Sequence, residues 1–444
     1  MTKLPLIALL LSAAAFGQTA SYTVNVHGSR YLYPGYDGYV ELRATFSGTA
    51  QHLFFNNVQV PQGFTWQIFC ASGDEKCWTH HSGRTYNWGG VAPVLFRLSA
   101  PSTATPMDYQ VMITFEAGGE IQNVPITFSV RPTPTLPPPG TPPAPIPGLS
   151  LWQDTMLTLA AKWCKPTEAM AFGWEQQVWF YDGARVFFQV SDYTKNSQWD
   201  ACAFNIASQY ADYVIGSNGV IPGWRVFPHG LRMAYERSGE EKYRQAVILL
   251  ANGGGFARRG GSVNDAFIRE TAFVAEAYME AEKVGAPRHK HFGRAIDFLL
   301  GHFDSLFETN NYSIHQTYTD GLAAKALIQY YQLTNDPRIP LAIKKMLDWL
   351  WTHGWNHSTK QLLINPDPPG PKCSWGCQQY NTELINLVAP AFAWYWNLTG
   401  DSNYKLRGDE MFSRALATDI SYSGKAFSQN YRWSFDYVRW RSSR

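Results

Sequence analysis

Several things this chain lacks narrow its possible roles. Beyond Phe16 no apolar run reaches the roughly 20 residues that a bilayer crossing requires, so no membrane span is expected. Lys and Arg number 37 against 35 Asp and Glu, for a net charge of +2. They do not gather on any stretch, which argues against nucleic acid as a partner, because phosphate neutralisation needs a basic face. Zinc sites favour Cys-x-x-Cys or His-x-x-x-His spacing, and the His289 and His291 pair sits on a basic polar turn, so no metal or other cofactor is expected. Charge is scarce, at 16% of residues, while Trp, Tyr and Phe number 17, 24 and 26. Aromatic rings fill helical cores, and they also stack on the apolar faces of sugars, so the composition leans towards a carbohydrate partner.

The N-terminus carries Lys3, an apolar run from Leu4 to Phe16, and small Ala15 and Gly17 before Gln18. That is the pattern of a signal peptide over residues 1–17, and it implies a secreted or periplasmic protein. Six cysteines then form an even set in an oxidising compartment. Close spacing pairs Cys70 with Cys77 and Cys373 with Cys377, which leaves Cys164 for Cys202.

Residues 18–131 hold seven short alternating runs, near 22–26, 39–46, 52–55, 64–69, 94–98, 109–115 and 124–130, separated by Gly, Pro and Ser clusters. They predict an all-β sandwich of immunoglobulin-like type. A proline-rich linker follows over 132–149, with nine prolines among the sixteen positions 132–147. Fully extended, it would reach roughly 50 Å at about 3.1 Å per residue, joining two separate domains.

From 150 to 444 the pattern is helical. An aromatic segment followed by Ser, Thr or Gly and an acid or Asn recurs about every 47 to 50 residues, as in Phe188 to Asp192, Tyr235 to Glu240, Tyr330 to Asp336 and Trp396 to Asp401, with Gly285 filling the gap. Each instance is read as the tight turn of a helical hairpin. Nearly uncharged stretches at 174–190, 224–237, 263–283, 316–332, 380–397 and 429–440 predict inner helices. Those at 152–164, 198–214, 241–252, 289–307, 337–353 and 402–416, charged on one face, predict outer ones. Six of each make an all-α (α/α)6 barrel, so the whole chain is multidomain.

The hairpin count, the buried inner helices and the preceding sandwich resemble the six-hairpin glycosidase-like superfamily, in an order similar to family 9 cellulases. That resemblance implies a glycoside hydrolase with its cleft at the N-terminal ends of the inner helices. Tyr181-Asp182-Gly183-Ala184 is the nearest string to the Asp-Ala-Gly-Asp signature of those cellulases and lacks its second Asp. Hydrolysis needs two carboxyl groups, one to protonate the leaving oxygen and one to act as base or nucleophile. Asp182, Asp265, Glu270, Asp320 and Glu383 are the candidates, each near the start of an inner helix, with Asp320 and Glu383 leading because small residues follow the first and Asn386 shares a helical face with the second. Acids at helix starts also cap backbone amides, and Asp265 can pair with Arg269.

Trp174 and Trp224 would offer stacking platforms, and Asn381 and Asn386 hydrogen bonds. Arg225, His229, Arg269, His315 and Tyr318 suit an acidic sugar, either for binding or for uronate β-elimination by a lyase. A non-catalytic glycan-binding or surface protein is the third possibility. Oligomeric state has no signature in the chain.

Overall fold

The computed structural model describes residues 22–27, 30–46, 53–70, 86–88, 94–132, 145–167 and 172–443. The expected signal peptide, Cys77 and most of the proline-rich segment lie outside them.

All seven expected runs are strands: β1 (Tyr22–His27), β3 (Asp37–Phe46), β4 (Leu53–Gln59), β5 (Thr65–Cys70), β7 (Val94–Ser99), β8 (Asp108–Ala117) and β9 (Glu120–Val130), joined by the short β2 (Tyr31–Leu32) and β6 (Tyr86–Trp88). They form two sheets, ordered β1-β3-β7-β5 and β2-β9-β8-β4-β6. Every described pairing is antiparallel except β2 with β9. Alternation along the strands turns Val40, Leu42, Phe96 and Leu98 of one sheet towards Val111, Ile113, Phe115, Ile126 and Phe128 of the other, and this shared interior holds the sheets together.

Among the described residues twelve α-helices follow: α1 (Leu149–Trp163), α2 (Gly183–Thr194), α3 (Asp200–Gly216), α4 (Pro228–Ser238), α5 (Glu241–Gly253), α6 (Ile268–Lys283), α7 (Phe292–Phe307), α8 (Thr317–Thr334), α9 (Arg338–Trp349), α10 (Ala389–Thr399), α11 (Ser402–Leu416) and α12 (Gly424–Ser442). The even-numbered helices contact one another in chain order, α2 to α4 through to α12, and α12 returns against α2. They are buried on nearly all sides, as their low charge required. The odd-numbered helices pack outside them.

The recurring motif is the C-terminal stop of α4, α8 and α10, whereas its first instance, Phe188 to Asp192, lies within α2, which runs on to Thr194. Lys195, Gly239, Asn335 and Gly400 are left-handed caps, and Gly285, one residue past the α6 cap, is left-handed too. The preceding hydroxyls of Ser238, Thr334 and Thr399 each donate to the carbonyl four residues back and accept the amide two residues ahead, so one side chain satisfies two terminal backbone groups.

Several boundaries differ from expectation. α2 begins at Gly183 because Tyr181 and Asp182 both have positive φ, 63° and 67°, which a helix cannot include. α10 begins at Ala389, with Pro390 in its first turn. Residues before it form three short strands, β10 (Trp355–Asn356), β11 (Gln361–Leu363) and β12 (Tyr380–Asn381), and a 3-10 turn at Ile385–Leu387. This excursion carries the Cys373–Cys377 disulfide and lengthens the motif interval between Thr334 and Thr399. α12 starts at Gly424, where Ser423 caps it by accepting the Ala426 amide.

The Cys164–Cys202 disulfide ties the segment after α1 to α3. The β region does not stand away from the helices. Tyr39 and Leu95 pack on Phe298 of α7, Arg131 pairs with Glu308, and the Arg338 guanidinium lies 3.8 Å from the Tyr36 ring. Burying these aromatic faces outweighs the reach that the linker allows.

Candidate active site

Each inner helix is entered from an outer one, so the six entering segments emerge at one end of the helical region. Close contacts between those segments confirm it. The Asp182 carboxylate accepts the Gly230 amide at 3.1 and 3.3 Å, linking the starts of α2 and α4. A Cβ at Gly223 would lie 2.7 Å from Cγ of Glu270 in α6.

At this end Arg269 donates to Glu270 at 2.6 and 3.0 Å. Burial opposes its charge, but Glu270, Tyr181 and Tyr318 outweigh that and raise its pKa. Burial pushes the Tyr181 phenol up to about 12, with Tyr318, Arg269, Arg432 and Glu383 close enough to act on it. Tyr181 therefore stays protonated at neutral pH and can only donate a hydrogen bond, not its proton. The Tyr422 hydroxyl lies beside Glu383, and its pKa is raised by burial first and by that carboxylate second. Gln429 also reaches Glu383, at 3.5 Å. Asn381 shapes the turn by accepting the amides of Glu383 and Leu384. Alongside lies a second cluster, in which Glu175 accepts from Trp224 Nε1 at 2.8 Å and Arg225 Nε at 3.1 Å, while Arg225 lies over the Trp179 ring.

Aromatic exposure follows the same geometry. Among the described residues Trp174, Trp224, Phe267, Trp375, Tyr380 and Tyr422 are between 39% and 61% exposed, and each lies in a segment entering an inner helix. One other exposed aromatic, Tyr193, lies at the far end of α2.

The remaining expected site residues are engaged in structural contacts. Asp320 is fully buried and bonded to His315 at 2.8 Å, and Trp349, Phe307 and Tyr312 surround that histidine. The small residues after Asp320 serve packing, since a Cβ at Gly321 would meet the Leu387 carbonyl at 1.9 Å. Asp265 accepts the amide and hydroxyl of Ser313, tying two loops together, and Asp182 is the N-cap of α2. Glu383 and Asn386 do not share a helical face. Glu383 lies in the turn after β12, and buried Asn386 bonds Asn430 at 3.2 Å.

His229 lies deeper, between the inner helices, with Asp182, Glu276 and Glu280 within 3.8 Å. Burial, then the charges of Lys325, Arg185, Lys283 and Arg432, hold its pKa well below the usual value. Beside it Glu276 binds Lys325 at 2.6 Å and Arg432 at 3.0 Å, all three at most 1% exposed. Burial presses the Lys325 amine towards its neutral form, and Glu276 opposes that shift.

The chain does contain one His-x-x-x-His spacing, His353 and His357. His353 stacks on Trp349, whereas His357 bonds the Trp351 carbonyl. Tyr422 and Gln429 were not marked by any sequence motif, and Tyr181 entered only as the neighbour of Asp182 in a signature-like string. The only signal for Tyr422 and Gln429 was position, just before or at the start of an inner helix.

No family model and no curated protein matches this chain. Solved structures with some likeness include a family 76 glycoside hydrolase from a bovine Bacteroides thetaiotaomicron strain, 11% identical over 88% of this chain and 77% of that one, with a TM-score of 0.28. A Salmonella alpha-2-macroglobulin mutant is 12% identical over 93% of this chain, with a TM-score of 0.23. Native Escherichia coli alpha-2-macroglobulin is 14% identical over 93%, also at 0.23. This chain spans 27% and 26% of those two macroglobulins. Likeness at this level leaves the site's own geometry to argue function.

Proposed function

We propose that this is an exported carbohydrate-active protein, a glycoside hydrolase whose (α/α)6 toroid binds a polysaccharide or oligosaccharide across the end where the inner helices begin. The immunoglobulin-like sandwich is its accessory domain. The observation that carries this reading is the gathering of six exposed aromatic side chains on that one rim. Exposed Trp and Tyr are costly to leave in water, and stacking on sugar rings gives such a rim a use.

Glu383 and Glu270 are the proposed carboxyl pair. One of them protonates the leaving oxygen and the other acts as base or nucleophile; Arg269 binds Glu270, and Tyr422 and Gln429 adjoin Glu383. The two histidines named for uronate elimination, His229 and His315, are both buried, and His315 is bonded to Asp320. This favours hydrolysis over a lyase reaction. Arg225 and Arg269 suit binding of an acidic glycan.

The test is a panel of neutral and uronic-acid polysaccharides, following reducing ends and the absorbance of unsaturated uronates together. New reducing ends without absorbance are expected. Glu383→Gln and Glu270→Gln should each lower kcat by at least about a hundredfold, the ordinary contribution of a general acid or base. Both appearing together would mark a lyase, and binding without cleavage would make the protein a glycan-binding module. Unchanged activity in both variants would reject the pair.

A further inference from the structure

The opposite end of the helical region holds a cavity of about 260 Å³ between α2, α4, α6, α8 and α12. That is near the small end of the range for ligand pockets, roughly 300–1,000 Å³. Its lining is unusual in charge. Arg185, Arg232, Lys283 and Arg439 and the Lys325 amine face it against a single carboxylate, Asp436.

Internal pairing leaves this charge only partly answered. Arg232 and Lys283 are met by Glu280, Arg232 also by Glu236, and Lys325 by Glu276, which Arg432 shares. Arg185 and Arg439 share Asp436, at 3.0 and 2.6 Å. The Arg185 side chain is only 7% exposed, and its Nη1 has no hydrogen-bond partner among the described residues. Nδ1 of neighbouring His229 has none either. A buried guanidinium with free donors costs stability unless an acceptor meets it.

The other walls define what that acceptor is attached to. Trp433 and Trp440 supply aromatic surface, and Gln189 and Gln332 supply amides that both donate and accept, while the Gln329 amide is bonded to His229. An anion alone would use the cations and leave these groups idle. A ring with one apolar face, several hydroxyls and one acidic group would use all three kinds of wall.

We propose that this cavity is a binding site for an anionic monosaccharide, a sugar acid or sugar phosphate, separate from the rim at the other end. Arg185 and Arg439 hold the acidic group, the two tryptophans meet the ring, and Gln189 and Gln332 meet its hydroxyls. The site is open on the side of Leu333 and Arg439, both well exposed, so the ligand enters without passing the rim.

Isothermal titration calorimetry on the whole chain in 150 mM salt tests this directly, with glucuronate, glucose 6-phosphate, glucose, acetate and inorganic phosphate as probes. Saturable binding of glucuronate or glucose 6-phosphate, tighter than any of the three controls, is expected. Arg439→Gln combined with Lys283→Gln should weaken it at least about tenfold, the effect of losing a charge-assisted hydrogen bond. Both side chains are more than a third exposed, so the variant should keep its fold, and an unchanged circular dichroism melt verifies that. If neither sugar anion binds, if the controls bind as tightly, or if a folded double variant binds equally well, the proposal fails. Glycan cleavage at the rim is measured separately and stands or falls on Glu270 and Glu383.

Discussion

Glu276 shows how costly a single charge becomes inside the helical region. It answers both Lys325 and Arg432, with no water-accessible alternative for any of the three. Glu276→Gln leaves two buried cations without their carboxylate and should destabilise the protein by about 3–5 kcal/mol in urea denaturation. His229 has a different signature. Its folded pKa lies below the unfolded value near 6.5, so its contribution is intact above that pH and declines as pH falls. Each unit below 6.5 should cost up to roughly 1.4 kcal/mol until the folded imidazole itself protonates. Denaturation midpoints at pH 7.5, 6 and 5 should therefore converge more in His229→Gln than in the wild type. Glu276 was visible in the sequence only as a polar position within an apolar stretch, and His229 only as a candidate for an acidic sugar. Which neighbours they meet is set by helices distant in the chain.

Among the elements, the inner-helix stops were the most legible feature, because their chemistry is local. A hydroxyl, a left-handed residue and an acid in succession end a helix by bonds within a few residues. Gly239 has φ 72° and open space where a Cβ would go, so Gly239→Ala should cost about 1–2 kcal/mol from backbone strain alone. Chemical denaturation would show this, and Gly239→Asn should lose less. Helix starts were less legible. Left-handed Tyr181 and Asp182 delay α2, and the excursion before α10 replaces an expected helical face with strands and a turn. Asp320 illustrates the same limit. It has the same sequence credentials as Glu383, yet it is enclosed with His315 among aromatic rings.

Across the whole molecule, two ties hold distant parts together. The Cys164–Cys202 bridge closes a loop of 38 residues, and on the chain-entropy account replacing both cysteines by serine should cost about 4 kcal/mol. A lower melting temperature by calorimetry is the check. The second tie is the packing of Tyr39 and Leu95 on Phe298. Phe298→Ala should destabilise the protein by about 3–5 kcal/mol. If the contact couples the two regions, calorimetry of that variant should resolve β and helical transitions that coincide in the wild type.

The sequence by itself determined the β region, the alternation of buried and charged helices, and their turns, since each depends on periodicity or bonding within a few residues. Only the tertiary structure decided which carboxylates reach a surface, that the exposed aromatics share one rim, and that cations gather in a cavity at the other end. Those facts depend on distances between residues dozens to hundreds of positions apart. A helix presents its acids to its neighbours according to how it is rotated and where it begins, and only packing against the other helices fixes both.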